Sequence, residues 1–121
     1  MEKLKVYIAG KITGTDHGEC IRKFNKASEI IEKMGFQPVN PLTFGIPWDT
    51  ASKDAVQLCT PHLLSSDILF LLSDYRTSEG ALEEFRIFDS ENRGSRYRIL
   101  TEDGDGFGKL ANYSKMLKRC E

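Results

Sequence analysis

Three stretches of the sequence hold residues whose types and spacing could do chemistry. Ser78-Glu79-Gly80-Ala81-Leu82-Glu83-Glu84 puts a serine and a glycine at a strand-to-helix turn, then two acids in the first turns of a helix. Helical spacing from Gly80 places Glu84 on the side that carries Ala81, Ile87 and Phe88, and Glu83 nearer solvent with Arg86 and Ser90. A carboxylate on the inward side costs free energy unless it is hydrogen-bonded or put to use. Its plainer reading is a helix-start acid that complements the dipole. Asp67 stands before five apolar residues, 68–72, and its plainer reading is a cap or turn residue. Gly10-Lys11-Ile12-Thr13-Gly14 brings two glycines, a lysine and a hydroxyl to a strand-to-helix junction. Free backbone N–H groups near a helix start make an anion site, to which Lys11 would add charge. The alternative is a tight turn. The loop is neither a Walker loop nor a dinucleotide fingerprint, because no Gly-Lys-[Ser/Thr] follows at the required spacing and Gly10 and Gly14 are four apart.

The cysteines are Cys20, Cys59 and Cys120. An odd number without a secretory leader argues for free thiols in a reducing compartment. His17 with Cys20 and Cys59 with His62 each place two zinc-type ligands three positions apart, a Cys2His2 set on paper. Such pairs usually sit in tight knuckles, whereas these fall at helical positions, so Cys20 and Cys59 read as small apolar helix residues and no metal is expected.

The elements that must position these residues follow from periodicity. Residues 4–9 read as a buried strand, and residues 19–34 as a helix with Ile21, Phe24, Ala27, Ile30, Ile31 and Met34 on one face. Gly35 falls at a left-handed C-cap, and residues 36–40 form a short second strand. A loop of about ten residues from Asn40-Pro41 leads to a helix starting near Thr50 or Ser52, and Thr60-Pro61 reads as a break and restart, since proline is poorly tolerated inside a helix. Residues 67–72 are the clearest buried strand, 80–91 a third helix, 97–100 a fourth strand, 102–108 a mobile connector and 110–117 a closing helix. This order predicts an α/β fold: a flavodoxin-like (Rossmann-like) parallel sheet of four to five strands with helices on both faces. Ligands of such sheets bind at the carboxyl ends of the strands, where the winding reverses. Loops 10–18, 40–50 and 73–80 then share one rim.

The chain has 121 residues, which is one domain, with 102–121 as a peripheral C-terminal segment. Hydrophobic residues make up 40% and charged residues 29%, and 17 Lys+Arg against 18 Asp+Glu leave a net charge of -1. That balance gives no case for a nucleic-acid polymer or a membrane surface as partner. No apolar run is long enough to span a bilayer, and the N-terminus has no signal-peptide core, so a cytoplasmic protein is expected.

Taken together, residues 6–14, Asn40-Pro41, Ser66-Asp67 and Ser78-x-Gly80-Ala81-x-x-Glu84 resemble the nucleoside 2-deoxyribosyltransferase-like superfamily, and within it the DUF4406 branch of bacteria and phages. The resemblance runs in order over about residues 4–100. It implies a flavodoxin-like sheet, scission of the bond between a nucleobase and deoxyribose, and no cofactor. By the same resemblance Glu84 is the nucleophile at the anomeric carbon, Tyr7 the hydroxyl that orients it, and Asp67 a second acid in the pocket. Gly10, Lys11, Ile12, Thr13, Gly14, Asn40, Ser78 and Gly80 surround the substrate. Ser78 matches the deoxynucleotide N-hydrolases, where the transferases commonly have Asp, so Lys11, Thr13 and Ser78 are expected at a 5′-phosphate. The alternatives are a module that binds or senses a nucleotide without turnover, and an assembly protein with a vestigial pocket. Trp48, Ala55, Val56, Leu58 and Cys59 give the second helix and the loop before it more apolar surface than a small sheet needs there. A homodimer or higher oligomer through that face is expected, as in the resembling families, where a neighbouring subunit helps close the pocket.

Overall fold

The β-branched and aromatic residues after Leu4 form β1 (Lys5–Ala9), the strand on which the sheet is built. The computed structural model describes residues 3–91 and 98–119. In chain order the elements are β1, α1 (His17–Lys33), β2 (Gln37–Val39), α2 (Ser52–Leu64), β3 (Ile68–Leu71), α3 (Glu79–Glu91), β4 (Ile99–Thr101) and α4 (Gly106–Arg119). The four strands are parallel in the order β2-β1-β3-β4, with Tyr7 in register with Val39 on one side and Leu69 on the other. This is the expected Rossmann-like α/β sheet. The chain winds from β1 to β2, then crosses back to β3 on the far side of β1, so the winding reverses between β1 and β3. No described helix is long and apolar enough to cross a membrane.

Alternation along the strands divides the core in two. Val6, Ile8, Ile68, Phe70, Leu72 and Leu100 pack with Cys20, Phe24, Ala27 and Ile31 of α1 and Leu110 of α4. Tyr7, Ala9, Leu69 and Leu71 pack on the opposite face with Cys59 and Leu63 of α2 and Ala81 and Phe88 of α3. The parity of β1 thus points Tyr7 at the α2/α3 layer. Asp16 caps α1 by accepting from the Glu19 N–H at 3.0 Å, and Gly35 takes the left-handed position after the helix (φ 96). Ile21, expected on the buried stripe of α1, is exposed.

Two further expectations change. First, α2 is continuous through Thr60-Pro61. Cys59 and Leu63 sit four residues apart on its buried stripe, a register that only an unbroken helix keeps. Burying them offsets the roughly 3 kcal/mol that an interior proline costs. The Thr60 hydroxyl donates to the Val56 carbonyl at 2.7 Å, one turn back, instead of capping a new helix. Second, the glycine-rich connector is a short 3-10 turn, Glu102–Gly104, followed directly by α4. Asp105 takes a left-handed conformation (φ 60) at the junction. Gly106 lies so close to the sheet that a Cβ there would fall 2.6 Å from the Phe70 ring and from the Thr101 carbonyl oxygen. These glycines serve close packing: α4 buries Leu110, packs Phe107 at a tilt against Phe70 and donates from the Ser114 hydroxyl to the Met34 carbonyl at 2.7 Å. Residue 97, expected to open the fourth strand, lies outside the described residues, as does Cys120.

Candidate functional site

A cavity opens beside the carboxyl end of β1, where the winding of the sheet reverses. Tyr7 and Glu84 lie in its lining, with Gly10, Ile12 and Thr13 of the first loop, Trp48 of the loop before α2, Ser52 and Cys59 of α2, and Ser78 and Gly80 at the start of α3. Its enclosed space is about 110 Å³, whereas pockets that engulf a ligand usually measure about 300–1,000 Å³. A nucleotide-sized molecule would be only partly enclosed by one chain.

Glu84 and Tyr7 are 77 residues apart, yet the Tyr7 hydroxyl donates to Glu84 Oε2 in a short hydrogen bond. Each is brought there by an element: β1 turns Tyr7 toward the α2/α3 layer, and α3 turns Glu84 inward on the stripe of Ala81 and Phe88. Ser78 fixes the start of that helix, its Oγ accepting from the Ala81 N–H at 3.1 Å. Glu84 is 8% exposed, and none of the ion pairs among the described residues includes it. Burial pushes its carboxyl up to about 7, against the opposing pull of the Tyr7 hydrogen bond. Burial, and then the neighbouring Glu84 charge, raise the Tyr7 hydroxyl well above its ordinary value, so it stays a donor. Burial also raises the Cys59 thiol. The adjacent Glu83 is half-exposed and pairs with Arg86 at 3.2 Å, as its helical position implies.

Of the other expected site residues, Gly10, Ile12, Thr13, Ser78 and Gly80 line the cavity. Gly10 is a close approach: a Cβ there would sit 2.8 Å from Leu72 Cδ1. Thr13 Oγ1 lies 3.1 Å from Ser52 Oγ, tying the first loop to the start of α2. Lys11, Gly14, Asn40 and Asp67 do not line it. Asp67 is the clearest correction. It precedes β3 at the amino end of the sheet, where its Oδ2 accepts from the Lys5 N–H at 2.8 Å, a whole strand from the rim. Asn40 is buried as a loop cap, its side-chain oxygen accepting from the Leu42 N–H at 3.0 Å. The Lys11 main chain is clamped: its N–H donates to Asp74 Oδ1 at 3.0 Å, and its carbonyl accepts from Lys23 Nζ at 2.9 Å. Lys23 also pairs with Asp74, so these two side chains set the shape of the first loop.

Sequence reasoning passed over Trp48, Ser52 and Cys59 as site residues. Ser52, Val56 and Cys59 recur at helical spacing on one face of α2, a signal present in the sequence, where Ser52 stood only as a possible helix start and Val56 and Cys59 as part of an association surface. The four zinc-type residues do not converge. Cys20 and Cys59 lie on opposite faces of the sheet, and the histidines stack on rings instead, His17 on Trp48 and His62 on Phe44. Among the described residues no group of His, Cys, Asp and Glu gathers as a metal site.

No curated protein and no solved structure matches the chain significantly. Residues 4–92, which carry β1 to α3 and every residue of the cavity, match the family described as Domain of unknown function (DUF4406). The chain belongs to the DUF4406 family.

Proposed function

We propose that the protein cleaves the N-glycosidic bond of a 2-deoxynucleoside or its 5′-monophosphate, with Glu84 as nucleophile. One observation carries the reading: a buried carboxyl faces a cavity at the sheet's rim, held through one oxygen by a tyrosine hydroxyl. Near neutral pH the group divides between acid and carboxylate, and with Tyr7 on Oε2, Oε1 is the oxygen left for a ligand. Oε1 attacks the anomeric carbon as the bond to the base breaks, and the base leaves with the bonding pair. Water then attacks the same carbon and frees Glu84; a free nucleobase in place of water would make the reaction a transfer. With Asp67 away from the cavity, no second carboxyl among the described residues lines it, and the departing base takes its proton from water.

Thr13, Ser52 and Ser78 supply hydroxyls for the sugar or phosphate, and α2 begins without a side-chain cap, leaving first-turn N–H groups for an anion. The test is free base released over a panel of deoxynucleosides and matching 5′-monophosphates, read by chromatography. Release is expected, with the monophosphates preferred. No release from any member would overturn the reading, and equal use of the nucleosides would remove the phosphate from it. The missing second acid favours one rival, a module that binds the nucleotide without turnover. Calorimetric binding with no free base would establish that rival.

Self-association belongs to the same proposal. Of the face expected to associate, Val56 and Cys59 are buried within the chain, whereas Leu58 and Trp48 are exposed, and a second copy laid over these two would cover the open side of the cavity that Trp48 borders. Light scattering should report at least twice the 13.7 kDa chain mass; a monomer that turns over substrate would show that the pocket is complete alone.

A further inference from the structure

Trp48 is the chain's single tryptophan, and it borders the same cavity as Tyr7 and Glu84. It is 39% exposed. Its ring lies flat on His17, with centroids 3.9 Å apart and planes 14° from parallel. His17 opens α1 and is not part of the cavity wall, so the imidazole backs the indole from outside the lining to which Trp48 belongs. The backbone beneath is fixed as well. The Thr50 N–H closes a turn on the Pro47 carbonyl at 3.1 Å, and proline holds its own φ. Phe44 supplies the contrast. It too stacks on a histidine, His62, but it packs against the core and does not border the cavity.

An aromatic plane held by a turn and a backing ring gives up little freedom when a ligand arrives. A second ring laid on it gains stacking and apolar burial. The surroundings fit a ligand with one flat apolar end and one hydroxyl-binding end: Ile12, Ile46 and Pro47 accompany Trp48, and Thr13 and Ser52 supply oxygens. We infer that Trp48, backed by His17, is the stacking surface on which the pocket takes a flat heteroaromatic ring of nucleobase type. The inference rests on the reading above for the identity of the ring.

As the single tryptophan, Trp48 reports on its own site through intrinsic fluorescence. Titration with 2′-deoxyadenosine 5′-monophosphate should quench it, and 2-deoxyribose 5-phosphate at equal concentrations should not. Trp48→Ala should weaken calorimetric binding of the nucleotide roughly tenfold, and Trp48→Phe should restore most of it. His17→Ala should weaken binding by a smaller factor. All three variants should melt near the wild type, because both rings are exposed. Unchanged affinity in Trp48→Ala, equal quenching by nucleotide and sugar phosphate, or no nucleotide binding by the wild type would each overturn the inference. Quenching with the Trp48→Ala loss, in a protein that frees no base, would leave the stacking surface standing and defeat only the catalytic reading.

Discussion

Glu84→Gln should yield a protein that releases no base and is more stable than the wild type at alkaline pH. In the folded chain the carboxyl keeps its proton up to about 7, against 4.5 for an unperturbed glutamate. Between those values the unfolded state binds fewer protons than the native one, so native stability falls as pH rises through the window and levels off above it. A shift of that size corresponds to about 3 kcal/mol lost by pH 8, and about 1 kcal/mol at pH 5. Glutamine keeps the shape, can accept from Tyr7, and has no charge to bury. Its melting temperature should therefore exceed the wild type's by about 10 °C at pH 8, and by far less at pH 5. An equal difference at both pH values would mean that burial does not hold the carboxyl neutral, and the electrostatic account of the site would fail.

Tyr7→Phe should retain the fold, because the ring packs in the α2/α3 core layer and only the hydroxyl is removed. The carboxylate loses the hydrogen bond that opposes its burial. A hydrogen bond to a charged group contributes about 1.5–3 kcal/mol, so the Glu84 midpoint should rise by about one to two pH units. Base release at neutral pH should drop by about ten- to a hundredfold and recover in part at high pH, where the carboxylate forms again. The pH–rate profile checks this. A uniform loss at every pH, with the midpoint unmoved, would assign Tyr7 a role in contacting substrate and not in holding Glu84 ionised.

Much of this geometry was legible because local rules and topology agree. Strand-helix alternation gave the parallel sheet, and helical spacing from Gly80 separated the inward Glu84 from the outward Glu83. Pairing Tyr7 with Glu84 came from the family resemblance; their contact spans 77 residues and depends on the side to which β1 turns Tyr7 and α3 turns Glu84. The misplacement of Asp67 had a physical remedy in the sequence itself. Parallel strands put ligands at their carboxyl ends, and Asp67 precedes β3 whereas Asp74 follows it. Asn40 and Lys11 were not legible, since a polar loop residue looks the same whether it faces a ligand or satisfies its own loop. The continuous α2 was hidden because proline's local cost is visible in sequence and the burial of Leu63 that offsets it is tertiary. Trp48 was assigned to the expected interface between copies, because its stack on His17 and its place at the cavity depend on tertiary structure and leave no mark in the sequence.

The central claim is that Glu84, and no other acid, attacks the sugar. Free base released from a deoxynucleoside 5′-monophosphate by the wild type, Glu84→Ala and Glu83→Ala tests it most directly. The two acids are neighbours in sequence, but one is buried against Tyr7 and the other pairs with Arg86 at the surface. The account predicts no release from Glu84→Ala, with its fold intact by circular dichroism, and nearly wild-type release from Glu83→Ala. Release from Glu84→Ala at the wild-type rate, or equal loss in both variants, would contradict it.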